Sequence, residues 1–208
     1  MTAPTLELSY FDFHGGRGEP IRLALTVGGI DFTDHRVGHK DWAALKPTTP
    51  LGQLPVLKVD GKQLTQMSAI LRYVGRLADL YPSDAWQATL CDQVLCAVDA
   101  LSGEMLHSFM VKGDAQREAR EQLVAGPLPR HLKALGTWLE EAGGEWFADG
   151  RLTVADLSVA ETVRSLRTGK LDHISTELVA EVAPGLVEHR ERVLAVPEVA
   201  AYYARVAG

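Results

Sequence analysis

The stretch LGQLPVLKVDGKQLTQMSAI, residues 51–70, decides the fold because it places a proline directly before a short apolar strand. Pro55 has no backbone N–H, so it cannot donate to a sheet ladder at the start of that strand. A cis Leu54–Pro55 bond costs only about 0.5–1 kcal/mol. That geometry would turn the Leu54 backbone outward, where an extended peptide can pair with it. With Asp60-Gly61 as a hairpin turn, the stretch predicts two paired strands and a backbone clamp for a peptide.

The residues around this stretch alternate between strand and helix patterns. Residues 6–10 alternate as a strand does, and they deliver Tyr10 to its carboxyl end, where open α/β sheets place their ligands. A glycine-rich loop at 15–18 follows, and Pro20 suits the first turn of a helix that ends at Gly28-Gly29. Further elements are predicted as a strand at 32–37, a short helix at 41–45, the hairpin, and a helix at 68–78. The order in residues 1–81 is βαβαββα.

After residue 81 the strand patterns end and only amphipathic helices follow. We therefore predict a linker at 82–86 and an all-helical domain at 87–208. A long helix is expected at 86–111, and a break at Gly126-Pro127. Thr153 and Asp156 have the spacing of a capping box, in which each side chain meets the backbone of the other. Replacing either by Ala should cost about 0.5–2 kcal/mol.

Composition excludes several classes of protein. The 208 residues are 46% hydrophobic, which is enough for a sizeable core, and 27 acidic against 21 basic residues give a net charge of -6. The absence of a basic run argues against a nucleic-acid partner. No apolar run reaches the roughly 18 residues that a membrane span needs. Because residues 1–5 lack the features of a signal peptide, we expect a cytoplasmic protein.

Cysteine and histidine spacing argues against disulfide and metal chemistry. Cys91 and Cys96 lie five residues apart on a predicted helix, where their side chains diverge, so they should not bond to each other. The seven histidines show no zinc-ligand spacing. We expect no metal.

The βαβαββα half, its proline before the third strand and the helical half with a capping box together resemble a cytosolic glutathione transferase. The motifs most resemble the sigma class and its bacterial relatives: Ser9-Tyr10-Phe11, Gly18-Glu19-Pro20-Ile21-Arg22, Asp41-Trp42, Lys46-Pro47 and Gly52-Gln53-Leu54-Pro55. The resemblance implies an α/β thioredoxin-like N-terminal domain, an all-α C-terminal domain and a homodimer. It also implies glutathione as co-substrate, small hydrophobic electrophiles as second substrates and a role in detoxification.

Tyr10 and Arg17 are the predicted catalytic residues. A thiol with a pKa near 8.5 is only a few per cent thiolate at neutral pH. A neutral Tyr10 phenol that donates to the sulfur would lower the thiol pKa by about one to two units. The fixed charge of Arg17, which follows the glycines, would favour the same anionic form.

The glutathione-binding residues are assigned by the resemblance. Trp42 and Lys46 would hold the glycine carboxylate of glutathione. Asp99 would cross the interface of a homodimer to the γ-glutamyl ammonium group. The other predicted contacts are Phe11, Gln53, Leu54, Pro55, Gln66, Met67 and Ser68.

Met67 departs from the family pattern, in which a serine follows Gln or Glu at the start of the third helix. The backbone amide of Met67 can still donate at the helix N-terminus, but the serine hydroxyl is lost unless Ser68 replaces it. Glutathione binding would weaken by about 1–3 kcal/mol without that hydroxyl.

The hydrophobic electrophile is expected over Tyr10, between the two domains. The predicted contacts are Phe13, Leu106, His107, Met110 and Thr162. The sequence leaves open whether the reaction is conjugation, peroxide reduction or isomerisation.

Two other classes remain as alternatives. A non-catalytic protein of the same fold, used for binding or as a structural protein, would tolerate Met67, although it has no need to retain Tyr10 and Arg17. A disulfide oxidoreductase would need a cysteine at position 10 or in the following loop, and none is present.

Overall fold

The computed structural model describes residues 3–206, which divide into two compact units. The first contains residues 3–81 together with Pro197–Val206, and the second contains residues 82–196. The sequence patterns predict one helical domain for residues 87–208, whereas the last helix of the structure belongs to the first unit. The difference arises because this helix packs on the first helix of the chain.

The first unit is built on a four-stranded mixed sheet with the order β2-β1-β3-β4. β1 is parallel to β2 and antiparallel to β3, and the β3–β4 hairpin turns at Asp60 and Gly61, both of which have positive φ. The strands are β1 (Leu6–Phe11), β2 (Thr33–Val37), β3 (Val56–Val59) and β4 (Lys62–Thr65). Its helices are α1 (Glu19–Val27), α2 (His39–Leu45), α3 (Met67–Leu77) and α10 (Pro197–Val206). The predicted βαβαββα order is confirmed.

The second unit is all helical among its described residues. The helices are α4 (Ala85–Met110), α5 (Asp114–Ala125), α6 (Pro127–Glu141), α7 (Val154–Arg167), α8 (Leu178–Val182) and α9 (Pro184–Leu194). α4 begins at Ala85 because the Asp84 carboxylate caps it, accepting from the N–H groups of Trp86 and Gln87. The predicted break between α5 and α6 lies at Gly126, where Pro127 starts the second helix.

The capping box at the start of α7 is confirmed, and it is part of a larger buried cluster. The fully buried Asp156 accepts from both the N–H and the hydroxyl of Thr153, each at 2.7 Å. Its other oxygen accepts the Phe147 N–H at 3.0 Å and lies 2.9 Å from Nε2 of His189, which is also fully buried. Asp156 therefore fixes α7 to α9 and to the loop before α7, in addition to capping α7.

Within residues 3–206, no helix combines the length and the apolar character needed to cross a bilayer. In the same part of the chain, no cluster of three or more His, Cys, Asp or Glu side chains has a geometry suited to a metal ion. Cys91 and Cys96 are not joined by a disulfide.

Candidate active site

Tyr10 lies near the end of the central strand β1 and is only 5% exposed. Its ring belongs to an apolar cluster at this edge of the sheet, whose other members are Val37, Leu54 and Val56, with Phe11, Trp42 and Leu45 packed against it. β1 is paired with β2 on one side and with β3 on the other, so its backbone is fixed within the sheet. The ring of Tyr10 is thus held on a rigid element.

The loop between β1 and α1 covers the tyrosine closely. A Cβ added at Gly18 would lie 2.4 Å from the Tyr10 ring, and one at Gly16 would lie 2.7 Å from the hydroxyl oxygen. Gly16 also has a φ of 65°, which a residue with a side chain rarely adopts. Glycine is therefore required at both positions by space, and at Gly16 by conformation as well.

The same loop supplies a hydrogen bond to the phenol. The backbone N–H of Arg17 donates to the Tyr10 hydroxyl oxygen at 3.0 Å. Because that oxygen accepts from the loop, the hydroxyl proton is available to a different acceptor. The arrangement prepares Tyr10 to donate a hydrogen bond.

Burial raises the pKa of Tyr10 above its usual value of 10.0, and it outweighs the opposing influences. The hydrogen bond from the Arg17 backbone N–H and the positive charges of Arg17 and Arg22 each act to lower that pKa. The guanidinium of Arg22 lies 5.6 Å from the centre of the Tyr10 ring. Tyr10 is therefore a neutral phenol at physiological pH, which is the form that can donate.

Two buried charged residues contact this loop, and neither was predicted as a site residue. Glu19 and Arg22, both fully buried in the first turn of α1, form an ion pair at 3.1 Å. Nε of Arg22 donates to both carboxylate oxygens of Asp34 on β2, at 3.2 and 3.1 Å. The opposite charges three residues apart at the start of a predicted helix were the available signal, because such residues meet on one face.

The residues predicted to hold the peptide ligand lie around the same sheet edge. The Leu54–Pro55 bond is cis, which is the geometry that the backbone clamp requires. Trp42 of α2 is half-buried and meets the ring of Phe11 edge-on, with ring centres 5.4 Å apart. Lys46 and Gln53 are exposed. Their side chains are therefore accessible to a ligand.

The start of α3 has an unusual backbone. Gln66 precedes the helix with φ 71° and ψ 118°, outside the regions that residues with side chains prefer. Backbone strain of this kind concentrates at ligand-binding sites. The next two residues, Met67 and Ser68, are buried at 3% and 4% exposure. Met67 thus directs an apolar side chain into the core at the position where the resemblance implies a serine.

The residues predicted for the hydrophobic substrate are distributed over both units. In the first unit, Phe13 is 45% exposed and its ring lies near those of Tyr10 and Phe11, at 5.7 and 6.5 Å between centres. In the second unit, Leu106 and Met110 are exposed and lie four residues apart on one face of α4. His107 is also exposed on α4, Asp99 is half-buried there, and Thr162 of α7 donates to the Ser158 carbonyl at 2.9 Å.

Both units of the chain are similar to domains of known proteins. The model of the glutathione S-transferase N-terminal domain matches residues 6–76, and that of the C-terminal domain matches residues 103–205. Glutathione S-transferase 1 of Ascaris suum is 34% identical over 180 residues, which cover 84% of this chain and 86% of that protein. The hematopoietic prostaglandin D synthase of Gallus gallus is 32% identical over 96% of this chain and 95% of its own length. Among solved structures, prostaglandin synthase D of Nilaparvata lugens has a TM-score of 0.85 and 29% identity, with 97% of this chain and 98% of that chain covered.

Proposed function

The chain belongs to the glutathione S-transferase family of enzymes, and from this premise we propose that it activates the glutathione thiol through Tyr10 for attack on small hydrophobic electrophiles. The neutral phenol of Tyr10 donates its proton in a hydrogen bond to the sulfur. This bond favours the thiolate over the thiol, and the thiolate is the nucleophile.

The observation that carries this proposal is the Arg17 N–H bond to the Tyr10 oxygen. In this bond the oxygen of a buried phenol is the acceptor, so the hydroxyl proton remains available for donation to the sulfur. A hydrogen bond to a charged group contributes about 1.5–3 kcal/mol, which corresponds to a fall of about one to two units in the thiol pKa. From about 8.5, that shift makes about a quarter to three quarters of the bound thiol anionic at pH 7, against a few per cent without it.

Arg17 is proposed to assist through its charge. Its half-buried side chain follows the amide that binds Tyr10, so a permanent positive charge lies close to the phenol. That charge opposes protonation of the sulfur.

We further propose that glutathione lies across the sheet edge formed around Tyr10. The Leu54 backbone would pair with its cysteinyl main chain, with Gln53, Phe11 and Pro55 alongside, and Trp42 and Lys46 would hold the glycine end. Gln66, Met67 and Ser68 would meet the γ-glutamyl end at the positive N-terminus of α3. The strained Gln66 backbone supports this assignment.

The remaining proposals concern the partner subunit and the second substrate. A homodimer, with Asp99 reaching the γ-glutamyl group bound in the other copy, is proposed from family membership. Phe13, Leu106, His107, Met110 and Thr162 remain the proposed contacts for the electrophile. A sigma-class assignment and a cytoplasmic location are proposed on the sequence motifs.

Isomerisation is a second candidate activity. Relatives named prostaglandin D synthase align with 96–97% of this chain's length. An assay of glutathione-dependent prostaglandin D formation would test it: product formation would support the activity, and its absence would count against it.

The test of the main proposal is a comparison of wild type with Tyr10→Phe, with Tyr73→Phe as the control. Tyr73 is a half-buried tyrosine of α3, so its variant removes a hydroxyl from the same unit. With chlorodinitrobenzene and saturating glutathione, we expect Tyr10→Phe to lower kcat near pH 6.5 by about ten- to a hundredfold. The pH profile of kcat/KM should move upward by about one to two units.

The ultraviolet thiolate band of the glutathione complex gives an independent reading. We expect it in wild type and Tyr73→Phe at pH 7, and a much weaker band in Tyr10→Phe. A wild-type complex that shows no such band, or a Tyr10→Phe profile that coincides with wild type, would refute the proposed mechanism.

A further inference from the structure

Glu19 connects the loop that binds Tyr10 to the last helix of the first unit. Its fully buried carboxylate accepts the Gly15 N–H and an Arg22 N–H through one oxygen, each at 3.1 Å. The other oxygen accepts the hydroxyl proton of Tyr202, on α10, at 3.0 Å. One carboxylate therefore joins the loop, α1 and α10.

The loop is fixed on both sides of its glycines. Arg22 and Arg36 each donate through Nη1 to the Phe13 carbonyl at 3.2 Å. Glu19 holds the Gly15 amide, two residues before the Arg17 amide that donates to Tyr10. The loop segment that precedes the Arg17 N–H is therefore held by hydrogen bonds in which Tyr10 takes no part.

The hydroxyl of Tyr202 must be protonated to donate to Glu19, and its surroundings favour that form. Burial raises the pKa of Tyr202, and the negative charge of Glu19 raises it further. The hydroxyl therefore stays protonated at physiological pH and donates to Glu19. His14, 41% exposed, also lies near this pair, 3.6 Å from the Glu19 oxygen and 3.5 Å from the Tyr202 hydroxyl.

We infer that Glu19 and Tyr202 are positioning residues, which hold the loop so that the Arg17 amide stays on the Tyr10 hydroxyl. Tyr202 acts through Glu19, and Glu19 acts through the Gly15 amide. The consequence for catalysis rests on the proposed function. If the loop moves, the Tyr10 hydroxyl is no longer held in the orientation in which it donates to the sulfur.

The first experiment measures hydrogen exchange of backbone amides by NMR on the ligand-free protein. Tyr202→Phe should raise the exchange rates of the Gly15 and Arg17 amides about tenfold. The matched control is Tyr203→Phe, which removes a hydroxyl from the adjacent residue of α10 while keeping its ring against Tyr202. Unchanged Gly15 and Arg17 rates in Tyr202→Phe, or equal increases in Tyr203→Phe, would overturn the inference.

The second experiment tests the order of action. Glu19→Gln should accelerate the same two amides at least as much as Tyr202→Phe does, and the double variant should match Glu19→Gln alone. Additive effects of the two substitutions would show that Tyr202 does not act through Glu19, and they would overturn that step. Exchange at amides of the second unit, measured in the same spectra, reports whether a variant is generally destabilised.

The third measurement is the apparent thiol pKa in the kcat/KM profile with glutathione. Tyr202→Phe should raise it by about half to one unit, whereas Tyr203→Phe should leave it at the wild-type value. An unchanged profile together with faster exchange would refute the catalytic consequence of positioning. Failure of the proposed function has a different signature, because the wild-type complex itself would then lack the thiolate band while the exchange results would stand.

Discussion

Replacement of Asp156 should destabilise the protein far more than loss of a helix cap does. A cap substitution by Ala costs about 0.5–2 kcal/mol, which is the sequence-based expectation for both Thr153 and Asp156. The structure gives Asp156 two further contacts, from the Phe147 N–H and from His189. Each buried polar group left unpaired adds about 1–3 kcal/mol. We therefore expect Asp156→Ala to cost about 3–5 kcal/mol and Thr153→Ala about 1–2 kcal/mol.

The assay is urea unfolding followed by intrinsic fluorescence, with all variants at one protein concentration because association would shift the apparent stability. The free energies are comparable if the dependence on urea is the same for each variant. Asp156→Asn should recover part of the loss, since one amide oxygen can still accept. The reasoning is refuted if Asp156→Ala costs no more than Thr153→Ala, because the contacts of Phe147 and His189 would then contribute nothing.

Three other substitutions or measurements test features described above. Gly18→Ala should lower activity at least tenfold, because the added carbon would lie 2.4 Å from the phenol ring of Tyr10. The control is Gly103→Ala on α4, where the added carbon meets open space. This control should leave the kinetics unchanged and raise the free energy of unfolding by up to about 1 kcal/mol. Met67→Ser should tighten glutathione binding about tenfold in calorimetry, and an unchanged or weaker affinity would show that the neighbouring serine or the backbone already suffices. A thiol-specific chromogenic reagent should modify only the exposed Cys96 in the native protein at pH 8. Cys91 should not react, because burial raises its pKa to about 12 and keeps the thiol protonated. Modification of two thiols per chain without denaturant would contradict this prediction.

Local patterns were sufficient to predict most of the architecture. Strand alternation, the Asp60-Gly61 turn and the helix stop at Gly28-Gly29 depend on neighbouring residues, so periodicity and turn chemistry reveal them. The same holds for the position of Tyr10 near the end of β1. The sequence left the isomer of the Leu54–Pro55 bond open, because an X-Pro bond prefers trans by only about 0.5–1 kcal/mol, and the structure has the cis form.

The contacts that position the site could not be predicted from local patterns. Glu19 and Tyr202 are 183 residues apart in sequence, and Asp156 and His189 are 33 apart. The spacing of Glu19 and Arg22 indicates an ion pair but not its burial, because charged residues on helices are usually solvated. Likewise, no local pattern indicates that α10 joins the first unit. Only tertiary packing reveals such partners.

The placement of α10 has a consequence for synthesis. The ribosome releases the strands and α1 early, but the hydroxyl that meets the buried acid of α1 emerges 183 residues later. While the second unit is being translated, the nascent first unit carries an uncovered helix face and an acid without one of its donors. Premature termination before Pro197 would leave that exposure permanent, so quality-control machinery should degrade such products even though every strand of the sheet has been made.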